Sequence, residues 1–305
     1  MPDLPVGVRR NHPLARLTTV RTGGSAELFA RPATIEELQV LLAWAAREEL
    51  EVGVVGSGSN LLIADEGVRG LVLKLDRDLS HIEQQGDHLE CGGGARLPAV
   101  SAHAARVGLS GIEFGVNIPG TVGGAVRMNA NAYGGELART LEWVDVVSAA
   151  GVRRRAPDEL GFAYRRSSIA RGEIVARARF ALTPTPPETV KATLAEMRER
   201  RREAQPSGIK TFGSTFKNPD DPRAEGRSAG MLLDAAGCRG LRVGGASISE
   251  KHANFVVNDG AASTADVIAV MTAARDRVLA RFGVALAPEV QTLGPVGIPE
   301  EWRHA

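Results

Sequence analysis

Seventeen of the 35 glycines in this 305-residue chain fall between positions 53 and 135. A glycine inside a helix or strand costs about 0.5–1 kcal/mol relative to alanine. Long regular elements therefore cannot fill that stretch, and backbone must turn sharply or approach something closely there. A hydrophobic fraction of 43% is too apolar for a disordered chain. Lys+Arg is 37 and Asp+Glu is 36, a net charge of +1, so nothing draws the whole chain to nucleic acid or acidic membranes. No apolar run approaches the ~18 residues of a membrane span. Residues 1–10 carry two arginines with no apolar stretch behind them, so no signal peptide is expected and the cytoplasm is the expected compartment. Cys91 and Cys238 lie far apart and fit neither a metal site nor a disulfide framework, and two free thiols are expected. No cluster of His, Cys and Asp has metal-ligand spacing, so no metal is expected.

The pattern along the chain mixes helices and strands. Thr34-Ile35-Glu36-Glu37 reads as a capping box, with Leu38, Leu41, Leu42 and Ala45 following at helical spacing to about Leu50. Short apolar strands are expected at 52–55 and 71–75, and a hairpin over 82–91 turning at Gly86-Asp87. A helix over 97–107 should stop at Gly108, and a second hairpin should flank Ala149-Ala150-Gly151. Residues 174–182 alternate apolar residues with arginine, as a half-exposed strand does. After Thr183-Pro184-Thr185-Pro186-Pro187, a charged helix should run from 188 to 204. Helices near 228–236 and 264–282, with a strand at 254–257 between them, complete the reading; the tail beyond Leu293 should be loose. The arginine runs at 153–155 and 198–202 read as solvated surface. The whole suggests an α+β body, a linker helix and a smaller α+β C-terminal domain.

Two glycine-rich segments stand out. Val54-Val55-Gly56-Ser57-Gly58-Ser59-Asn60 follows a strand and offers successive backbone N–H groups with little side chain in the way, a geometry that suits phosphate oxygens. A dinucleotide-binding crossover turn is excluded. Leu61 stands where the third glycine belongs, and Asp65-Glu66-Gly67 and Gly70 leave no room for a crossover helix. An ordinary tight turn stays open as the alternative. The second segment runs from Ile118-Pro119-Gly120-Thr121-Val122-Gly123-Gly124 to Gly134 and has more small residues than a turn needs, which points to a ligand wall.

These segments resemble the UDP-N-acetylenolpyruvoylglucosamine reductases. The similarity extends to Thr19-Val20-Arg21-Thr22-Gly23-Gly24, Phe162-Ala163-Tyr164-Arg165, Gly213-Ser214-Thr215-Phe216-Lys217-Asn218-Pro219, Ser249-Glu250-Lys251-His252-Ala253-Asn254-Phe255 and Ala287-Pro288-Glu289-Val290. It implies a vanillyl-alcohol-oxidase-like FAD-binding domain of two α+β subdomains (1–80 and 81–204, the latter with the linker helix) and a C-terminal α+β substrate domain (205–305). It also implies non-covalent FAD held by Val55, Gly56, Ser57, Gly58, Ser59, Asn60 and Leu61, and by Pro119, Gly120, Thr121, Gly123, Gly124, Ala125, Asn129, Ala130 and Tyr133. The chain departs from the family pattern at Asn117 and Asn131, where glycine is usual. It resembles the shorter subtype, which lacks an extra loop carrying a substrate-covering tyrosine.

The implied reaction belongs to peptidoglycan precursor synthesis. Hydride from NADPH passes through FAD to the enolpyruvyl methylene carbon, a proton reaches the α-carbon, and UDP-N-acetylmuramate results. By resemblance Ser214 is the proton donor, Arg165 holds the substrate carboxylate, and Glu289 assists stabilisation or protonation. Tyr164, Lys217, Asn218, His252 and Asn254 are the expected substrate contacts, and a monomer is the expected state. Two other readings remain open. An FAD-linked alcohol oxidase of the same flavin fold would need neither Ser214 nor Glu289, and a nucleotide-sugar binding protein would tolerate loss of Ser214.

Overall fold

The computed structural model describes residues 4–206 and 208–304. The chain divides into two units. The first comprises residues up to 11, 27–57 and 69–201; the second comprises 12–26, 58–68 and the chain from 202 onward.

The first unit holds most of a four-stranded sheet, ordered β1 (Arg9–Pro13), β2 (Ser25–Ala30), β5 (Val68–Leu73) and β3 (Val52–Val54), in which β3 and β5 run parallel. Helix α1 (Ile35–Arg47) starts at Thr34 as expected, but only the Thr34 half of the capping box forms. Thr34 Oγ1 accepts from the Glu37 N–H at 3.2 Å, while the Glu37 carboxylate reaches back to the Ala33 N–H at 2.7 Å. Its apolar stripe, Leu38, Leu41 and Leu42, joins one core with Leu28, Leu71, Leu73 and Ile174. The rest of the unit is a five-stranded antiparallel sheet ordered β12 (Gly151–Arg155), β11 (Leu141–Ser148), β13 (Ile174–Ala181), β7 (His88–Gly92) and β6 (Ile82–Gln85). Helix α2 (Leu97–Val107), which ends at Gly108 with φ 73°, packs on it together with a short helix α3 (Val122–Arg127). Two-residue strands β8 (Leu109–Ser110) and β14 (Thr183–Pro184) pair, as do β9 (Asn131–Ala132) and β10 (Gly135–Glu136). All but the last three residues of helix α4 (Pro187–Ala204) belong to this unit.

The second unit is built around α5 (Ala229–Ala235), α6 (Thr264–Phe282) and a three-stranded sheet of β15 (Arg242–Val243), β16 (Ala246–Ile248) and β17 (Val256–Asn258). In the same unit β4 (Leu61–Ile63) pairs parallel with β18 (Gln291–Leu293). Leu232, Leu233, Val267, Met271, Phe212 and Phe216 form its core. Helix α6 ends at Gly283, whose φ of 68° is the left-handed stop foreseen from the sequence.

Some expectations are corrected. β13 is a central strand rather than a half-exposed one. A register shift opposite Asp145 and Val146 lets Ile174 and Ala176 face one core, and Val175, Ala178 and Phe180 the other. The helix at α3 was not foreseen, because glycines at two of its six positions hide its pattern. The tail beyond Leu293 packs: Trp302 is buried against the second core, with the Arg275 guanidinium 4.8 Å from its ring. In the arginine runs, Arg155 and Arg201 turn inward instead of lying in solvent. Both cysteines are buried and free, and burial pushes the Cys91 thiol up to about 12. Among the described residues, no helix is long and apolar enough to cross a membrane.

Candidate functional site

In the first unit, β3 delivers the chain through buried Val55, whose N–H bonds the Leu73 carbonyl at 2.8 Å, into the first glycine segment. No helix follows. The chain passes directly to β4, which begins at Leu61. Among the described residues, the backbone N–H groups of Gly56, Ser57, Gly58, Ser59 and Asn60 find no protein acceptor, and neither do those of Gly120 and Thr121. Gly58 and Thr121 are buried and the others partly so, and successive unpaired amides of this kind suit an anionic ligand. Gly56 lies against Thr121; a Cβ there would come within 2.6 Å of Thr121 Oγ1. The Lys74 ammonium, which the sequence did not single out, donates to the Gly56 carbonyl. Its burial, with Arg31 nearby, holds its pKa below the usual lysine range.

The glycines of the second segment divide by role. Gly123 is needed for packing, because a Cβ would sit 3.1 Å from the Gly93 carbonyl oxygen and 3.2 Å from that of Val175. Its N–H is spent on Gly93, as that of Val122 is on Ala95 and that of Ala125 on Thr121. Ala125 itself is core. Gly120 and Gly124 differ. Neither has a positive φ, and a Cβ would meet nothing closer than 3.8 Å and 3.5 Å respectively. No neighbour in the fold requires glycine at these two positions, while a ligand lying on the backbone would. Pro119 is exposed beside them.

Beyond α3 the chain makes a tight hairpin. Tyr133 (φ 51°) and Gly134 (φ 79°) are both left-handed between β9 and β10, as a two-residue hairpin turn favours. Asn129, at φ 40° and 2% exposure, donates from its amide to Glu136 (2.9 Å) and to the Ala163 carbonyl (3.3 Å); its Oδ1 is buried without a partner. Ala130 is buried next to it. Ala163 and Arg166 exchange backbone bonds of 3.0 and 3.1 Å, leaving Tyr164 and Arg165 at the tip of the reversal. Arg165 takes φ 55°, where a side chain other than glycine costs roughly 1–2 kcal/mol. Its Nη1 donates to Asn131 Oδ1 at 2.8 Å, and its guanidinium lies 5.0 Å from the Tyr164 ring. Three of the eight non-glycine residues with positive φ among the described residues thus gather here, and strain of this kind is typical of functional sites.

In the second unit, residues 214–217 run as an extended segment between two others. Ser214 bridges Phe255, the Thr215 N–H bonds the Asn254 carbonyl (2.8 Å), the Thr215 carbonyl accepts from the Glu289 N–H (2.9 Å), and Phe216 bridges Pro288. Asn254, 5% exposed, brackets Phe216 with both ends of its amide, at 2.9 and 2.8 Å. Gly213 (φ 82°) lies over the Ser59 carbonyl. The Asn60 amide donates to the Glu289 carbonyl at 3.2 Å, and its Oδ1 is buried and unpartnered, as is the hydroxyl of fully buried Thr215. The fold thus brings Ser59, Asn60, Ser214 and Glu289 together within one unit, although they come from three distant stretches of chain.

The remaining expected contacts also take part in local bonds. Lys217 donates its backbone N–H to Ala287, and exposed Asn218 caps the first turn of α5 by accepting from the Ala229 N–H at 3.1 Å. His252 packs its ring edge-on against Phe255 and accepts the Asn254 N–H on Nδ1 at 3.2 Å; burial, with Arg239 nearby, lowers its pKa. Sequence reasoning missed Lys74, and it also missed Arg201, which donates to the Asn117 carbonyl while the Asn117 amide bonds the Met197 carbonyl (2.6 Å). Lys74 could have been noticed as one of only five lysines. Arg201 is hidden among the arginines of a charged helix. Among the described residues no cluster of His, Cys, Asp and Glu could hold a metal ion.

Residues 26–156 match the family described as FAD binding domain, and residues 205–293 match UDP-N-acetylenolpyruvoylglucosamine reductase, C-terminal domain. The chain is 43% identical over 303 residues to a UDP-N-acetylenolpyruvoylglucosamine reductase of Agathobacter rectalis, covering 95% of each chain. It is 42% identical over 301 residues to that of Gluconobacter oxydans, covering 96% of this chain and 95% of the relative. Among solved structures, the UDP-N-acetylenolpyruvylglucosamine reductase of Thermus caldophilus matches with a TM-score of 0.81 at 38% identity, covering 94% of this chain and 99% of that one.

Proposed function

The chain belongs to the UDP-N-acetylenolpyruvoylglucosamine reductase family, and from that premise we propose that it reduces UDP-N-acetylglucosamine enolpyruvate to UDP-N-acetylmuramate with NADPH, using bound FAD. The adjacency of Ser214 and Glu289 carries this reading: the Thr215 carbonyl between them accepts from the Glu289 N–H, so the family's proton donor and its acidic partner sit on neighbouring extended segments. An alcohol oxidase would have no use for that pair.

The residues present fit FAD. Unpaired amides at Gly56, Ser57, Gly120 and Thr121, all in the first unit, suit its diphosphate. The open backbone at Gly120 and Gly124 leaves room for it, and the orphan oxygens of Asn60 and Asn129 can accept N–H groups. Bound FAD supplies the hydride relay from NADPH to the substrate double bond.

The work of the chain lies in handling charge and proton. Hydride arriving at the methylene carbon leaves negative charge on the α-carbon and its carboxylate. The Arg165 guanidinium holds that carboxylate, and the hold strengthens as charge builds. The Ser214 hydroxyl delivers a proton to the α-carbon, completing the lactyl ether. Serine is a weak acid, so Glu289 and Lys217 are assigned to stabilise the alkoxide or return its proton. Asn254 keeps the segment straight by bracketing Phe216. Tyr164, Lys217, Asn218 and His252 are the proposed contacts to the rest of the substrate, with the domain division at 80 and 204.

The purified protein should be yellow and should bleach with NADPH in the absence of oxygen. In single-turnover kinetics, Ser214→Ala should leave that reduction nearly intact and slow reoxidation by the enolpyruvyl substrate by roughly 10²–10⁴-fold. A colourless protein that takes up no added FAD would sink the assignment, and equal loss of both half-reactions would remove Ser214 as the proton donor.

A further inference from the structure

One cation holds the start of the first glycine segment. Strands β3 and β5 run parallel with Val54 opposite Leu73, so Lys74 stands one residue beyond the last pair, where β3 gives way to the segment. The Lys74 N–H bonds the Ala30 carbonyl at 3.1 Å, and its ammonium donates to the Gly56 carbonyl. Thr121 confines the same glycine, leaving no room for a Cβ. The peptide unit joining Gly56 to Ser57 is therefore fixed at its oxygen.

That unit is trans and planar, so its C=O and its N–H point in opposite directions. With the oxygen turned to Lys74, the Ser57 N–H must point away from it. This N–H is one of the amides that find no protein acceptor among the described residues. An ammonium on the oxygen also polarises the peptide and makes its N–H a stronger donor.

The surroundings of Lys74 favour an anion as well. It is half-buried, and both Arg31 and Arg96 act against its charge. Asp76, which acts in its favour, is ion-paired with Arg31 at 3.0 Å. Arg96 bridges Thr121, whose amide is also unpaired. A neutral donor would tie down the Gly56 carbonyl without bringing a third cation into this company.

We propose that Lys74 is a positioning residue for the cofactor diphosphate, holding the Gly56 carbonyl so that the Ser57 N–H is aimed at a phosphate oxygen. The proposal rests on the reading of the glycine segments as the FAD site.

The test combines flavin fluorescence titration with the amide-proton NMR signals of the FAD-loaded protein. In the wild type, FAD should move the amide protons of Ser57, Gly120 and Thr121 downfield. Lys74→Met keeps the bulk of the stem and removes the donor. It should weaken FAD binding by about tenfold, and in the loaded variant Ser57 alone should return toward its cofactor-free position. Lys74→Gln, neutral and one atom shorter, carries the same expectation if the methionine variant does not fold. Lys74→Arg keeps donor and charge, so it should bind FAD within about threefold of wild type and restore the Ser57 signal. If Lys74→Met weakens FAD binding while Ser57 stays shifted, Lys74 acts by its charge on the phosphate and the positioning role is refuted. It is refuted equally if all three amides return together, which marks a general loosening, or if affinity and signals are unchanged. If FAD leaves Ser57 unmoved in the wild type, the reading of the first segment as the FAD site fails before any variant is made.

Discussion

Replacing Gly124 by alanine should have opposite effects on the free and the cofactor-bound protein. Gly124 is exposed in the first turn of α3, its φ is not positive, and an added Cβ would approach only Thr121 Oγ1, at an ordinary 3.5 Å. Without FAD the substitution relieves helix and unfolded-chain entropy, which should stabilise by about 0.7 kcal/mol. The corresponding shift in Tm is about +2 °C. With FAD the same methyl stands where the proposed ligand lies on the backbone. Pushing an anionic ligand off one amide costs about 2 kcal/mol, or about 30-fold in affinity. At FAD a hundred times the wild-type Kd, ligand binding stabilises the wild type by about 2.7 kcal/mol and the variant by only about 0.9. The variant should therefore be about 0.7 kcal/mol more stable than wild type as apoprotein and about 1 kcal/mol less stable when FAD is present. Calorimetric melting of the apoprotein with and without FAD, together with flavin fluorescence titration, measures both arms. A lower Tm for the apo variant would mean that packing demands the glycine after all. Unchanged FAD affinity would mean that the segment is not a cofactor wall.

Two further expectations concern the second unit. Asp65 caps α6 from the loop after β4, accepting from the N–H groups of Thr264 (2.9 Å) and Ala265 (3.0 Å); Asp65→Ala should cost about 1–2 kcal/mol in urea unfolding, and an unchanged midpoint would refute the cap. His252 has its pKa lowered by burial and Arg239, and its neutral Nδ1 accepts the Asn254 N–H. Its contribution to stability is thus present above the unfolded value of about 6.5 and is lost as pH falls below it. The wild type should lose more stability between pH 7 and pH 5 than His252→Gln does, and parallel pH profiles would contradict this.

Much of the local structure was legible in the residues. The start of α1 was written in Thr34 and Glu37, and the stops of α2 and α6 in Gly108 and Gly283, because capping is decided within four or five residues. The absence of a crossover helix after Ser59 was readable for the same reason. The helix α3 was not legible. Its glycines lower its propensity, and it is held by bonds from Val122 to Ala95 and from Gly123 to Gly93, partners some 30 positions away. The cap on α6 by Asp65 was equally hidden: the sequence marks that residue only as part of a turn, and its two acceptor bonds reach about 200 positions along the chain.

The same division runs through the site. By itself the sequence pointed to two glycine-rich segments as candidate ligand walls, and its family resemblance offered Arg165, Ser214 and Glu289 as candidate catalytic residues. It could not tell a glycine kept for packing from one kept for a ligand. Gly123 and Gly124 are neighbours of identical composition, yet a Cβ on one would crowd two carbonyl oxygens and on the other would meet only Thr121 Oγ1 at an ordinary 3.5 Å. It marked Asn131 only as a departure from a family pattern, while the tertiary structure turned that departure into a hydrogen bond to Arg165. The physical reason is that local rules act over a few residues of chain. Which groups end up unpaired, crowded or held in place depends on residues the fold brings from far away.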